Sequence, residues 1–336
     1  MKHLVYIGNK LSQTGKTATT IDTLGKGLEA ADFEVTYASS YSNILMRFLD
    51  MLWTVFIHRK TTDYVLIDTY STLNFYYAYA VSKLCQWFKL KYIPILHGGN
   101  LPIRLKNNPR LCASIFNKSF VNISPSGFIK SEFEAFGYSN IQVIPNSISI
   151  TNYPFTERTL DNVNLLWVRS FSNLYNPKLA VTILFQLKEI YPEATLCMVG
   201  PDNDGSLKST KAYAGQLGVD VTFTGKLTKA EWIALSAHYS VFINTTNYDN
   251  TPVSVIEAMA LGLPIVSTNV GGLPYLIEHE KEGVLVNPNH PEAFVEAIKR
   301  YKNDSAFRAS VIKDARLKAE SFDWENIKQQ WLTTLK

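Results

Sequence analysis

The stretch Asn244 to Pro274 reads NTTNYDNTPVSVIEAMALGLPIVSTNVGGLP. Its helix signals are unusually complete. Thr251 is the expected N-cap and Pro252 the first helical residue, Val253, Val255, Ile256 and Met259 supply the apolar positions, and Gly262 with Pro264 is the stop. A helix is therefore expected over about 252–261. Asp249 falls on the loop before it and Glu257 inside it. An open helix N-terminus flanked by two carboxylates suits a phosphorylated, hydroxyl-rich ligand, with N–H groups meeting phosphates and carboxylates accepting from hydroxyls. Taken alone, the pair reads more readily as a turn aspartate and an exposed helix glutamate.

Working outward, short β-branched and aromatic runs alternate with helical patterns along the whole chain. The expected strands of the first half are HLVYIG, FEVTYAS, DYVLIDT, KYIPILH, FVNIS and IQVIP. NLLWVRS, ATLCMVG, VDVTFTG, VFINTT, PIVST and VLVN follow in the second half. Such alternation predicts an α/β chain with two doubly wound, parallel-sheet, Rossmann-like domains, facing a cleft. The turn-rich IPNSISITNYPF, Ile144 to Phe155, marks the join. The expected division is 1–150, 151–312, and a terminal segment 313–336 whose helix, with Trp324, Ile327 and Trp331 on one face, packs back on the first domain.

The 336 residues, 46% hydrophobic and 18% charged, suffice for two cores. No apolar run is long and clean enough to span a bilayer, and MKHLVYIGNK reads as a first strand. Three scattered cysteines fit a reducing cytoplasm, and six histidines without metal-ligand spacing predict no metal or other cofactor. Asp202-x-Asp204 imitates a metal-binding D-x-D but is expected to be a loop. The net charge of +4 divides into +6 for residues 1–150 and −2 for the rest. Lysines and arginines between Lys83 and Lys118, interleaved with Trp87, Phe88 and Tyr92, suit an anionic membrane surface or a phosphorylated partner and equally a solvated face, and no nucleic-acid partner is expected. The helix expected over Asn43 to His58 carries Ile44, Phe48, Met51, Leu52 and Val55, either as a surface-lying stripe or as an ordinary core face.

The segment from Asn247 to Ile277 and GVLVNPNHPEAFVEAI resemble the donor-binding half of glycosyltransferase family 4, whose fold is GT-B. That family carries E-x7-E, then G-x-P-[IV]-[IV]-[AS]-[ST], then G-G-x-x-[DEY]. Here Glu257 is the second acid and Asp249 replaces the first, one methylene shorter. The resemblance implies retaining transfer of a sugar from a UDP- or GDP-linked donor to a glycan or lipid-linked acceptor. The setting it implies is cell-surface polysaccharide or glycolipid synthesis, in the cytoplasm or at the inner face of its membrane. It places Arg169, from NLLWVRS, on the donor diphosphate, Glu257 on the ribose and Asp249 on the sugar. Asn250, Thr251, Pro252 and Val253 form the helix entrance, and His97 in ILHGGNLP lies near the donor sugar. The family lysine after the arginine falls on Leu174 or Tyr175, so either Lys178 substitutes from the next turn or the second cation is missing.

GNKLSQTGKTATT, Gly8 to Thr20, imitates a phosphate loop but misplaces the first glycine of G-x-x-x-x-G-K-[ST] by two residues. In a GT-B first domain this loop and the glycines after His97 become candidate acceptor or phosphate contacts: Ser12, Thr14, Gly15, Lys16, Gly98 and Gly99. Two other readings remain: a P-loop-like NTPase with Asp68 on magnesium, and a GT-B protein that binds sugar without catalysis.

Overall fold

A computed structural model describes residues 1–10, 19–97 and 99–336. The chain forms two compact units, residues 1–147 with 324–336, and residues 148–323. In the first, β1 (His3–Ile7), α1 (Thr20–Ala30), β2 (Glu34–Ala38), α2 (Ile44–His58), β3 (Tyr64–Thr69) and α3 (Asn74–Phe88) lead to β4 (Tyr92–Leu96). After it come α4 (Leu101–Asn107), α5 (Pro109–Phe116), β5 (Asn122–Ser124), α6 (Gly127–Ala135) and β6 (Ile141–Val143). The sheet order is β2-β1-β3-β4-β5-β6, all parallel. Strand periodicity sends Val5, Ile7, Val65 and Ile67 to one core and Leu4, Tyr6, Tyr64 and Leu66 to the other, so both faces are covered.

The second unit runs through β7 (Asn164–Val168), α7 (Pro177–Ile190), β8 (Thr195–Val199), α8 (Ser206–Leu217), β9 (Thr222–Gly225), α9 (Lys229–Ser236) and β10 (Val241–Asn244). It continues with α10 (Val253–Ala260), β11 (Ile265–Thr268), α11 (Leu273–Leu276), β12 (Val284–Val286), α12 (Pro291–Asn303) and α13 (Ser305–Glu320). Its parallel sheet has the order β12-β11-β10-β7-β8-β9. Leu165, Trp167, Val241 and Ile243 fill one core, and Leu166 and Phe242 the other.

The last helix, α14 (Trp324–Thr334), belongs to the first unit. Ile327 and Trp331 are buried with Leu24 and Leu28 of α1, and a Cβ at Gly27 would meet the Trp324 ring at 2.6 Å. Lys2 Nζ and Tyr64 Oη each donate at 2.8 Å to the terminal carbonyls of Leu335 and Lys336. The chain returns to the first unit later than residue 313, because Ala315 and Ala319 of α13 pack with α10 in the second unit's core.

On α2 the stripe named from sequence divides. Met51 and Val55 are buried and Phe48 and Leu52 pack against the core, which is the core-face reading, while Ile44 is exposed. The exposed apolar side is a different one, carrying Leu45, Met46, Leu49, Trp53, Phe56 and Ile57. Among the described residues no helix is long and apolar enough to cross a membrane.

Candidate functional site

The strand order of the second unit reverses between β7 and β10, and doubly wound sheets bind ligands beyond their strand ends at such a switch point. Arg169 follows β7, and the loop of residues 245–252 follows β10. Three bonds tie the two connections together. Trp167 Nε1 donates to Thr245 Oγ1 at 3.0 Å, Thr245 Oγ1 to the Tyr175 carbonyl at 2.9 Å, and the Asn247 amide to the Leu174 carbonyl at 2.8 Å.

Arg169 forms an ion pair with Asp249, with side-chain exposures of 15% and 14%, and its guanidinium lies 4.2 Å from the centre of the Tyr175 ring. Burial pulls the Arg169 pKa below its ordinary value, against a raising effect of Tyr175. Its Nε has no hydrogen-bond partner among the described residues. Glycines hold both partners in place. Gly200 has φ 151°, and a Cβ there would fall 1.9 Å from the Arg169 carbonyl oxygen. Cβ atoms at Gly271 and Gly272 would lie 2.2 Å and 1.9 Å from the carbonyl oxygens of Asp249 and Asn250. The Gly272 amide donates to the Asp249 carbonyl at 2.9 Å. The glycine pair thus serves as a close backbone seat for the Asp249 loop.

The helix entrance differs by one residue from expectation. Pro252, at φ −69° and ψ 113°, is the N-cap and Val253 the first helical residue. The ring suits that φ, but the extended ψ keeps Pro252 in the loop, so Thr251 lies one residue outside the cap. Pro252 has no side-chain group with which to cap α10, and the buried Ser254 Oγ has no partner among the described residues. A helix N-terminus is a ready place for an anion, since its first N–H groups have no acceptor within the helix.

Glu257 is not an exposed helix residue: it is 3% exposed, accepts from Tyr153 Oη at 2.7 Å and pairs with Lys229 of α9. Burial first, then the Glu257 charge, push the Tyr153 hydroxyl well above its ordinary pKa. Lys178 joins neither cluster. It is exposed on the first turn of α7 with its Nζ 5.8 Å from the centre of the Tyr213 ring. The cation beside Glu257 is Lys229, whose position is fixed by the Thr228–Glu231 capping box of α9. Neither Lys229 nor Tyr153 carries a sequence signal, since each reaches Glu257 only through the tertiary fold. Asp202 and Asp204 cap a loop: Asp202 accepts from the Gly205 amide at 3.0 Å, and Asp204 from those of Ser206 and Asn173 at 3.1 and 3.0 Å.

In the first unit the strand order reverses between β1 and β3. His97, after β4, pairs through Nε2 with Asp68 Oδ1 at 2.8 Å, and the same oxygen accepts from Tyr6 Oη at 3.0 Å. Tyr77 Oη donates to the Asp68 carbonyl at 2.6 Å. Asp68 Oδ1 therefore serves both His97 and Tyr6. Asp68 Oδ2 has no partner among the described residues and points at Gly8, where a Cβ would approach it to 2.6 Å. Gly99 lies in the turn entering α4. Ser12, Thr14, Gly15, Lys16 and Gly98 lie outside the described residues.

Residues 154–318 match the family Glycosyl transferases group 1. The sulfoquinovosyl transferase SQD2 of Arabidopsis thaliana is 31% identical over 150 residues, 43% of this chain and 28% of that protein. The chain spans between about a quarter and a half of the length of the curated relatives it matches. Among solved structures, a sucrose-phosphate synthase from Thermosynechococcus elongatus superposes with a TM-score of 0.83 at 17% identity, covering 99% of this chain and 98% of that one. Anabaena HepE in complex with UDP and glucose gives 0.79 at 18% identity, covering 100% and 99%. The part of the chain that bears Arg169, Asp249 and Glu257 thus matches the group 1 glycosyl transferases, and the chain has the GT-B fold.

Proposed function

We propose that the protein transfers a sugar from a UDP- or GDP-linked donor to a hydroxyl of a glycan or lipid-linked acceptor, with retention at the anomeric carbon. The setting is cell-surface polysaccharide or glycolipid synthesis at the inner face of the cytoplasmic membrane. The observation that carries the reading is the pairing of Arg169 with Asp249 at the switch point of a family-matched unit, beside the start of α10. The presence of UDP and glucose in the HepE complex supports a nucleotide-sugar donor. The free edge of Arg169 and the first amides of α10 would receive the diphosphate, Glu257 would accept from the ribose hydroxyls, and Asp249 would meet the sugar. These groups and Lys229, with no metal, would balance charge as the bond from the anomeric carbon to the diphosphate breaks. The acceptor oxygen would bond on the same face, and its proton would pass to the departing phosphate oxygen.

A thermal-shift panel of UDP, GDP, their sugar conjugates and ATP with magnesium tests this. A ligand at a hundredfold excess over its Kd stabilises the folded state by about 2.7 kcal/mol. Stabilisation by one sugar conjugate, followed by nucleotide release with added acceptor, is the expected outcome. Stabilisation by ATP and magnesium alone would replace the reading with the NTPase one. Sugar-nucleotide binding without release across a broad acceptor panel would leave a non-catalytic binder.

A further inference from the structure

An open apolar groove of about 830 Å³ lies between α2 and α3 of the first unit, lined among others by Met46, Leu49, Trp53, Phe56, Leu84 and Trp87. The groove follows from the two-sided character of α2: Met51 and Val55 already fill the core, which leaves Leu49, Trp53 and Phe56 on the exposed side of the helix. Trp53 is 60% exposed and Trp87 is 80% exposed. Scattered exposed apolar residues need no explanation, but a contiguous patch with two indoles does. The rings form one ladder across both helices, Trp53 to Phe56 at 5.6 Å, Phe56 to Phe88 at 6.0 Å, and Phe88 to Trp87 at 5.9 Å. The Arg59 guanidinium lies over Phe56 and Phe88, at 4.2 and 5.6 Å from their centres.

Charge selects the occupant. Residues 41–60 and 74–89 contain Arg47, Arg59, Lys60, Lys83 and Lys89 against a single carboxylate, Asp50. Burial pushes the pKa of the Asp50 carboxyl above its ordinary value. A second copy docked by two-fold symmetry would set these cations against their own equivalents, an arrangement that costs free energy. An anionic bilayer complements both features: indoles settle at the boundary of headgroups and acyl chains, and lysines and arginines reach the phosphates.

We propose that the α2–α3 face docks on an anionic lipid surface, with Trp53 and Trp87 at the acyl boundary and Arg59 and Lys83 among the headgroup phosphates. This deepens the function proposed above, and its purpose rests on that reading, since a membrane-bound enzyme is held where a lipid-linked acceptor is presented.

Flotation of the full chain with vesicles of phosphatidylcholine, alone or mixed with phosphatidylglycerol, tests the docking. The expected result is binding to the mixed vesicles that weakens with salt and is lost in Trp53→Ser/Trp87→Ser. Arg59→Gln and Lys83→Gln should each lower the partition coefficient roughly fivefold. Absence of the chain from mixed vesicles at low salt would overturn the proposal, as would equal binding by the double-serine variant. So would a dimer in sedimentation that the same variant turns into monomer. The nucleotide panel run on the same preparations keeps the two readings apart. Nucleotide stabilisation without flotation sinks the docking alone, and flotation without nucleotide stabilisation sinks the glycosyltransferase reading alone.

Discussion

Replacing Glu257 by glutamine keeps the length of the side chain and an acceptor for Tyr153 Oη while removing the charge. In the folded protein the carboxylate accepts from that hydroxyl at 2.7 Å and pairs with Lys229, whose side chain is 56% exposed. A hydrogen bond to a charged partner contributes about 1.5–3 kcal/mol and a neutral one about 0.5–1.5, so the Tyr153 bond weakens by roughly 1 kcal/mol. The pair with a half-exposed lysine adds about 0–1 kcal/mol, and relief of a buried charge offsets part of the loss. The net change should be about 1 kcal/mol, or roughly 2–4 °C in Tm. If Glu257 receives ribose hydroxyls, loss of its charge also weakens nucleotide binding by about 1.4 kcal/mol, which is tenfold in Kd. Titration calorimetry with the best-stabilising nucleotide, beside thermal unfolding, reads both quantities. Unchanged nucleotide affinity with a lowered Tm would show that Glu257 only holds Tyr153 and Lys229 together. Glu257→Ala is the contrast, because it leaves the Tyr153 hydroxyl buried and unpaired at a further cost of about 1–3 kcal/mol.

Arg169→Lys keeps a cation beside Asp249 but loses the planar stack on Tyr175 and the fork; turnover should fall by about 2.7–4 kcal/mol in activation free energy with the fold intact, and full turnover would remove Arg169 from the chemistry. Gly272→Ala must displace the Asn250 carbonyl, costing about 1–3 kcal/mol and weakening nucleotide binding, whereas Gly215→Ala on α8, with open space around it, should stabilise by about 0.4–1 kcal/mol. Chemical denaturation of both variants checks the contrast. Burial pushes the Cys85 thiol up to about 12 and Cys112 up to about 11, and raises Cys197. All three should resist maleimide at pH 8 unless the chain is unfolded. Because these folded values lie above the ordinary thiol value of about 9, stability contributed by the protonated thiols is complete below about pH 9 and is lost between about 9 and 12. Denaturant midpoints across that range read the loss.

Strands were the legible part of the fold, because a parallel sheet buried on both faces leaves near-continuous apolar runs such as YVLI and LLWV that little else in a sequence imitates. Strand order was not legible, since it depends on which faces complement each other at long range. The stop of α10 could be read from Gly262, whose φ of 78° and approach to the Thr156 carbonyl both exclude a side chain. Its start was misread by one residue, because Pro252 suits an N-cap as well as a first turn when its ψ is extended. The α2 stripe was legible as a core face at Phe48, Met51, Leu52 and Val55, and only Ile44 of the five is exposed. The second apolar side was not legible, because apolar residues occupy both sides of that helix and blur its periodicity. Lys229, Tyr153 and the Asp68 partnership of His97 were hidden because each joins residues far apart in sequence through a single side-chain contact.

Asp249 stands where the resembled family carries glutamate, and the structure gives that departure a physical setting. The Gly272 amide and the close seat of Gly271 and Gly272 pin the backbone at Asp249 and Asn250, so the loop has little freedom to adjust the reach of its carboxylate. The carboxylate is also held by Arg169, itself pressed by Gly200 and stacked on Tyr175. In Asp249→Glu an added methylene between two pinned backbones must be taken up by the ion pair, at a strain of about 1–3 kcal/mol. If the carboxylate meets the sugar, affinity for the sugar conjugate should change by about tenfold while that for the free nucleotide stays within about twofold. Titrating both ligands into both proteins measures the two ratios. An equal change in both would mean that Asp249 acts on the diphosphate through Arg169 and does not meet the sugar, and the shorter acid would then tune charge at the leaving group and not the choice of donor.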